Sequence, residues 1–111
     1  MRLDDAYAIA LRDEKTRPDV YAEDTLAWAA ARAGHWEVAR RAARRAIAWN
    51  TPDARFWYHA GIIAEHDGDL VRALADDRRA IALNPRFQAT FADDARTRVA
   101  RLVRVASGNR G

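Results

Sequence analysis

The sequence predicts an all-α chain of about six short helices packed as antiparallel pairs. Three observations predict it. Ala accounts for 26 of the 111 residues, against 5 Gly and 3 Pro, and Ala has the highest helix propensity while burying little area. Apolar side chains recur at intervals of three and four, never in strand-like alternation. The sequence also repeats itself: Gly34 and Gly68, Ala39 and Ala73, Ala46 and Ala80, Ile47 and Ile81, and Asn50 and Asn84 are each 34 residues apart. Arg44-Arg45-Ala46-Ile47-Ala48-Trp49-Asn50 returns as Arg78-Arg79-Ala80-Ile81-Ala82-Leu83-Asn84, and residues 20–53 match residues 54–87 at nine of 34 positions. A fixed period of this length is the mark of a stacked repeat.

The elements follow from stripes and punctuation. The first helix, 3–16, carries Leu3, Tyr7, Ala10 and Leu11 on one face and stops before Pro18, which lacks an N–H and cannot continue a helix. Asp19 is placed to cap the second, 20–33. Gly34 ends it, because a left-handed helix terminus favours a residue without Cβ. The third, 36–49, has Trp36, Ala39, Ala43, Ala46 and Ile47 in one stripe and ends at Pro52. Thr51 or Asp53 caps the fourth, 54–66, which Gly68 closes. Asp69 caps the fifth, 70–83, with Leu70, Ala73, Leu74, Ile81 and, in part, Leu83 facing the core; Pro85 follows. The sixth, 88–105, shows Phe87, Phe91, Ala95, Val99, Leu102 and Val103. These are faces of amphipathic helices, and loops of two to four residues make neighbours antiparallel. Residues 1–106 form one domain, and 107–111 a flexible tail.

Composition narrows the function. With no Cys there is no disulfide framework, no thiolate chemistry and no Cys-type zinc site. No apolar run approaches the ~18–20 residues that span a bilayer, and the opening Met-Arg-Leu-Asp-Asp has no signal-peptide core; a cytoplasmic location is the slightly favoured expectation. Net charge is +3, running from −2 over residues 1–34 to +1 over 35–68 and +4 over 69–111. Arg supplies 18 of the 19 basic residues.

The helix–turn–helix unit of 34 residues resembles the tetratricopeptide repeat. In residues 54–87 the resemblance is carried by Trp57, Ala60-Gly61, Ala64, Gly68, Ala73, Ala80 and Pro85. In residues 20–53 it is carried by Leu26-Ala27, Ala30, Gly34, Ala39, Ala46 and Pro52, the last one residue late. Residues 6–18 resemble the second helix of an earlier repeat and 86–106 a capping helix. The family's first-helix Tyr is replaced by Ala30 and Ala64, and its second-helix aromatic by Ala43 and Asp77. Asp77 is therefore expected either to turn to solvent or to pair with an Arg. The resemblance implies a right-handed superhelical stack of two full units, a leading half repeat and a cap. It also implies that the chain is similar to the C-terminal repeats of a larger bacterial protein; opening on a half repeat gives the expectation of a piece of a longer array.

In that family the first helices line a concave groove that holds a peptide or protein. The groove residues implied here are Tyr21, Asp24, Trp28, Arg32, Arg55, Tyr58, Ile62, Glu65 and Arg96, with Trp28 and Tyr58 as aromatic anchors. The Lys/Asn clamp of the subgroup that binds acidic peptide tails is absent, since the matching positions hold Asp24, Trp28, Tyr58 and Ile62. Other classes have thinner support. Arg40, Arg41, Arg44, Arg45, Arg78, Arg79, Arg96, Arg98, Arg101 and Arg104 could meet phosphates, but they read as a solvated outer face, with no aromatic among the sixth-helix Arg to stack bases. His59 and His66 are seven apart, where a helical zinc pair prefers four. Asp76-Asp77 and Asp93-Asp94, as sequence neighbours, point to different sides of a helix. No cofactor, metal site or catalysis is expected. Self-association through the end helices is the alternative, by Leu3, Tyr7 and Leu11 at one end or Phe87, Phe91 and Val99 at the other. The first helix is the more suspect end, because the Arg-rich sixth helix supplies a polar outer face.

Overall fold

A computed structural model describes the backbone of residues 2–86 and 89–108 and the side chains of 2–86 and 93–105. Among the described residues there are six helices and no strand: α1 (Leu3–Thr16), α2 (Val20–Arg32), α3 (Trp36–Ala48), α4 (Ala54–His66), α5 (Leu70–Leu83) and α6 (Ala89–Gly108). Each expected helix is present. The largest difference is at α6, which runs through Ser107 and Gly108, where a tail was expected. Phe87 lies outside the described residues, as do the side chain of Phe91 and the structure of residues 109–111.

The helix ends carry the expected chemistry. Asp19 accepts from the Ala22 N–H at 2.8 Å, Asp53 from Arg55 at 3.0 Å and Asp69 from Arg72 at 3.1 Å. Gly34 (φ 87°) and Gly68 (φ 82°) sit in the left-handed region. Around Gly34 the next N–H, of His35, bonds back to Ala30 O and that of Gly34 to Ala31 O; Asp69 and Gly68 repeat this with Ala64 and Glu65. These paired bonds satisfy carbonyls that a helix end would otherwise leave open. Asn50 takes φ 53° after α3, a conformation Asn tolerates better than most residues.

The chain divides into two compact units, Met1–Thr51 and Pro52–Gly111. In the first, α2 packs against both α1 and α3. Its buried residues are mostly Ala: Ala10, Ala27, Ala30, Ala31, Ala39, Ala42, Ala43 and Ala46, with Val20 and Leu26. Side chains of one carbon let helix axes approach closely while keeping the interior filled. The Tyr7 ring stacks on His35 at 4.2 Å between centroids.

In the second unit α5 packs against α4 and α6. Ala54, Tyr58, Ala80 and Ala95 form one apolar cluster, flanked by Trp57, Ile62, Ile81 and Leu83. Ala64, Ala73 and Leu102 form another, flanked by Leu70 and Leu74. The Arg79 guanidinium lies 5.6 Å from the Trp57 ring centre, within cation–π range. One expectation fails. Arg98 was read with the solvated Arg of α6, yet it is 9% exposed. It shares a helix face with Ala95 and Leu102, which turn inward, and a buried carboxylate on α5 receives it. Asp76 and Asp77 are both buried as well, although they are neighbours in sequence.

Candidate functional site

The residues expected to line a partner groove fall on α2, α4 and α6, and each unit presents its own set. In the first unit Tyr21 stands 60% exposed. Asp24 and Trp28 follow on the same side of α2, both half-buried. Beside them, α1 and α2 leave an open cleft of about 470 Å³, lined by Ala10, Asp13, Thr16, Arg17, Asp19, Tyr21, Ala22 and Thr25. Its lining combines the small Ala10 and Ala22 and the Tyr21 ring with two carboxylates, two threonine hydroxyls and one guanidinium.

Behind this face lies a buried carboxylate that composition did not reveal. Glu23 of α2 is buried and accepts from Arg45 Nε of α3 at 2.6 Å. Glu14 of α1 is a second carboxyl neighbour of Glu23. Burial and the neighbouring Glu14 raise the pKa of Glu23, against the lowering effect of Arg45.

In the second unit Arg55 is exposed and held by Asp53, with Nη2 to Oδ2 at 2.8 Å. That contact keeps the Asp53 carboxyl below its ordinary pKa. Arg96 is exposed, bonding to Asp93 at 3.1 Å and to the Pro85 carbonyl. Ile62 is half-buried against the Tyr58 cluster. Tyr58 departs from the expected open anchor: it is 5% exposed, and its hydroxyl donates to Asp94 Oδ2 at 2.7 Å. Burial, then Asp94, pushes the phenol well above its ordinary pKa. Its ring is committed to holding α4 against α6.

Glu65 joins a larger network. It accepts from Arg98 Nη1 at 2.8 Å and from Arg101 Nη2 at 2.7 Å. Arg98 also donates from Nε to Asp77 Oδ2 at 3.1 Å. Asp77 is 0% exposed and burial raises its pKa to about 7, against the lowering pull of Arg98. The carboxylate fits because position 61 is Gly: a Cβ there would stand 2.1 Å from Asp77 Oδ1. Pairing was one of the two outcomes expected for Asp77, but sequence reasoning did not select Arg98. The signal was Gly61, a residue without a side chain facing the family's aromatic position.

No protein-family model matches the sequence, and no curated protein matches it. A solved structure described as "MamA RS-1 ArsTM double mutant" superposes on it with a TM-score of 0.68 and 18% sequence identity, covering 96% of this chain and 68% of that one. MamA contains tetratricopeptide repeats. The likeness shows the fold: the chain is an all-α helical repeat similar to that of a tetratricopeptide protein. No described helix is long and apolar enough to cross a membrane.

Proposed function

We propose that the chain is a non-catalytic interaction module that holds a peptide or protein segment against its first helices. The observation that carries this reading is the α2 face, where Tyr21 stands open beside Asp24 and Trp28. Rigid aromatic rings supply contact area at low entropic cost, and aromatic residues dominate binding hot spots. The tetratricopeptide-like fold supports the reading by presenting such faces on regular helices. In the second unit Arg55, Ile62, Glu65 and Arg96 supply a mixed face that suits a segment with both apolar and charged residues.

The test is selection from a displayed random-peptide library, followed by fluorescence anisotropy on the best binder. Tyr21→Ala and Trp28→Ala are each expected to weaken it about tenfold, the loss of ~1.4 kcal/mol of contact. Asp24→Ala reports on charge. Tyr58→Ala is unsuitable as a probe, because that ring is structural. Binding indifferent to both Tyr21→Ala and Trp28→Ala removes the assignment.

A further inference from the structure

Internal symmetry identifies what the α1–α2 cleft is shaped to hold. Setting α1 on α5 start to start, Leu3 on Leu70, puts Ala10 at the place of Asp77 and Asp13 at the place of Ala80. In the second unit both places are covered by α4. Asp77 faces Gly61, and Ala80 shares a cluster with Ala54 and Tyr58. In the first unit the same two places, Ala10 and Asp13, line open space of about 470 Å³. The cleft is thus the seat that a first-type helix occupies in the second unit.

We propose that this seat accepts α6 of a second copy of the chain, in a head-to-tail contact that completes a helix pair from α6 of one copy and α1 of the next. Three features favour α6. It is of the first-helix type, lying on α5 as α2 lies on α1. Its inward side is spent on Ala95, Arg98 and Leu102, while Arg96, Ala100 and Arg104 form an exposed stripe at intervals of four. A small Ala100 lets a helix come close to the small side chains of Ala10 and Ala22 in the cleft lining. The charges match as well: residues 1–34 carry −2 and residues 69–111 carry +4, so Asp13 and Asp19 would meet Arg104 and Arg96. This surface overlaps the peptide faces of the proposed function at Tyr21, which lines the cleft, and at Arg96, so the contact is tested at Thr25 and Ala100, which belong to neither peptide face.

The contact is heterologous, using two different patches rather than one patch twice, and that dictates the experiment. Sedimentation velocity of the 111-residue chain at low salt, from micromolar to millimolar, should show mass rising above the 12.5 kDa of one copy. Added salt should reverse part of the rise. Thr25→Arg blocks the cleft and Ala100→Glu blocks the helix stripe, both at exposed positions; far-UV circular dichroism verifies that each remains helical. Each variant alone should associate at least ~10-fold more weakly than the parent, equivalent to ~1.4 kcal/mol. Mixed one to one, they should form pairs and nothing larger, since one intact cleft and one intact stripe remain. Any of three results overturns the proposal: a parent chain at one-copy mass throughout, single variants that associate like the parent, or a mixture that stays at one-copy mass.

Discussion

Asp77 rests its carboxylate against the backbone of α4, and this is sterically open only because position 61 has no Cβ. An added methyl would stand 2.1 Å from Oδ1 and 2.9 Å from Cγ of Asp77, with the Ala73 carbonyl at 3.4 Å. Asp77 cannot swing aside cheaply, since its other oxygen holds Arg98. Gly61→Ala is therefore expected to lower unfolding free energy by about 1–3 kcal/mol, read by urea denaturation, and the loss should shrink in a Gly61→Ala/Asp77→Ala background. Equal losses in both backgrounds would dissociate the two residues. The same carboxylate sets a pH dependence. Its folded pKa, about 7, lies above the ordinary value of 3.8, so the native state holds a proton that the unfolded chain releases. Its contribution is fully present below about pH 4 and is lost as pH rises through 7. Urea midpoints between pH 5 and pH 8 should fall for the parent and flatten in Asp77→Asn. Sequence alone marked Asp77 as out of place. It could not choose Arg98, because that Arg lies on another helix, 21 residues away, in a run that looks solvated.

The helices themselves were legible because most of their ends carry their own chemistry, although α1 and α3 begin without a side-chain cap. Pro, Gly and a capping Asp act within a few residues, so a one-dimensional reading suffices for them. What was not legible is which side of each helix turns inward. Arg98, Asp76 and Glu23 are buried by tertiary neighbours, and charge alone argued otherwise. The two types of Gly separate the levels. At Gly34 and Gly68 an added Cβ meets nothing within 4 Å, so substitution costs conformation rather than space. Gly68→Ala should lose about 1–2 kcal/mol by forcing a left-handed residue, and Gly68→Asn should lose less, since Asn visits that region more readily. Asp69→Ala should lose about 1 kcal/mol as a missing cap. Thermal melts of the three variants check the order; Gly68→Asn falling below Gly68→Ala would show that crowding, not backbone conformation, controls the turn.

At the scale of the whole chain, repetition was visible in sequence, but the role of α6 was only half visible. Its apolar positions predicted a cover, which Ala95 and Leu102 provide by joining the two clusters of the second unit. Its charges predicted a solvated back, yet Arg98 and Arg101 reach Glu65, Arg98 also reaches Asp77, and Asp94 receives Tyr58. The helix is bonded to the unit it covers as well as packed against it. In a repeat array stability is close to a sum of local and nearest-neighbour contributions, so removing α6 should act locally. A chain ending at residue 86 strips Leu102 from Ala64 and Ala73, opens the Tyr58 ring to water and leaves Asp77 buried without its guanidinium. Losing one partner of a buried charged pair typically costs about 3–5 kcal/mol, comparable to what a unit of this size can spare. Hydrogen exchange should then show amides of Ala60–Ala64 and Ala73–Asp77 losing most of their protection, while those of Ala27–Ala31 and Ala42–Ala46 keep theirs. A uniform loss across α2 to α5 would mean that the array unfolds as one cooperative body and that α6 stabilises more than the unit it covers.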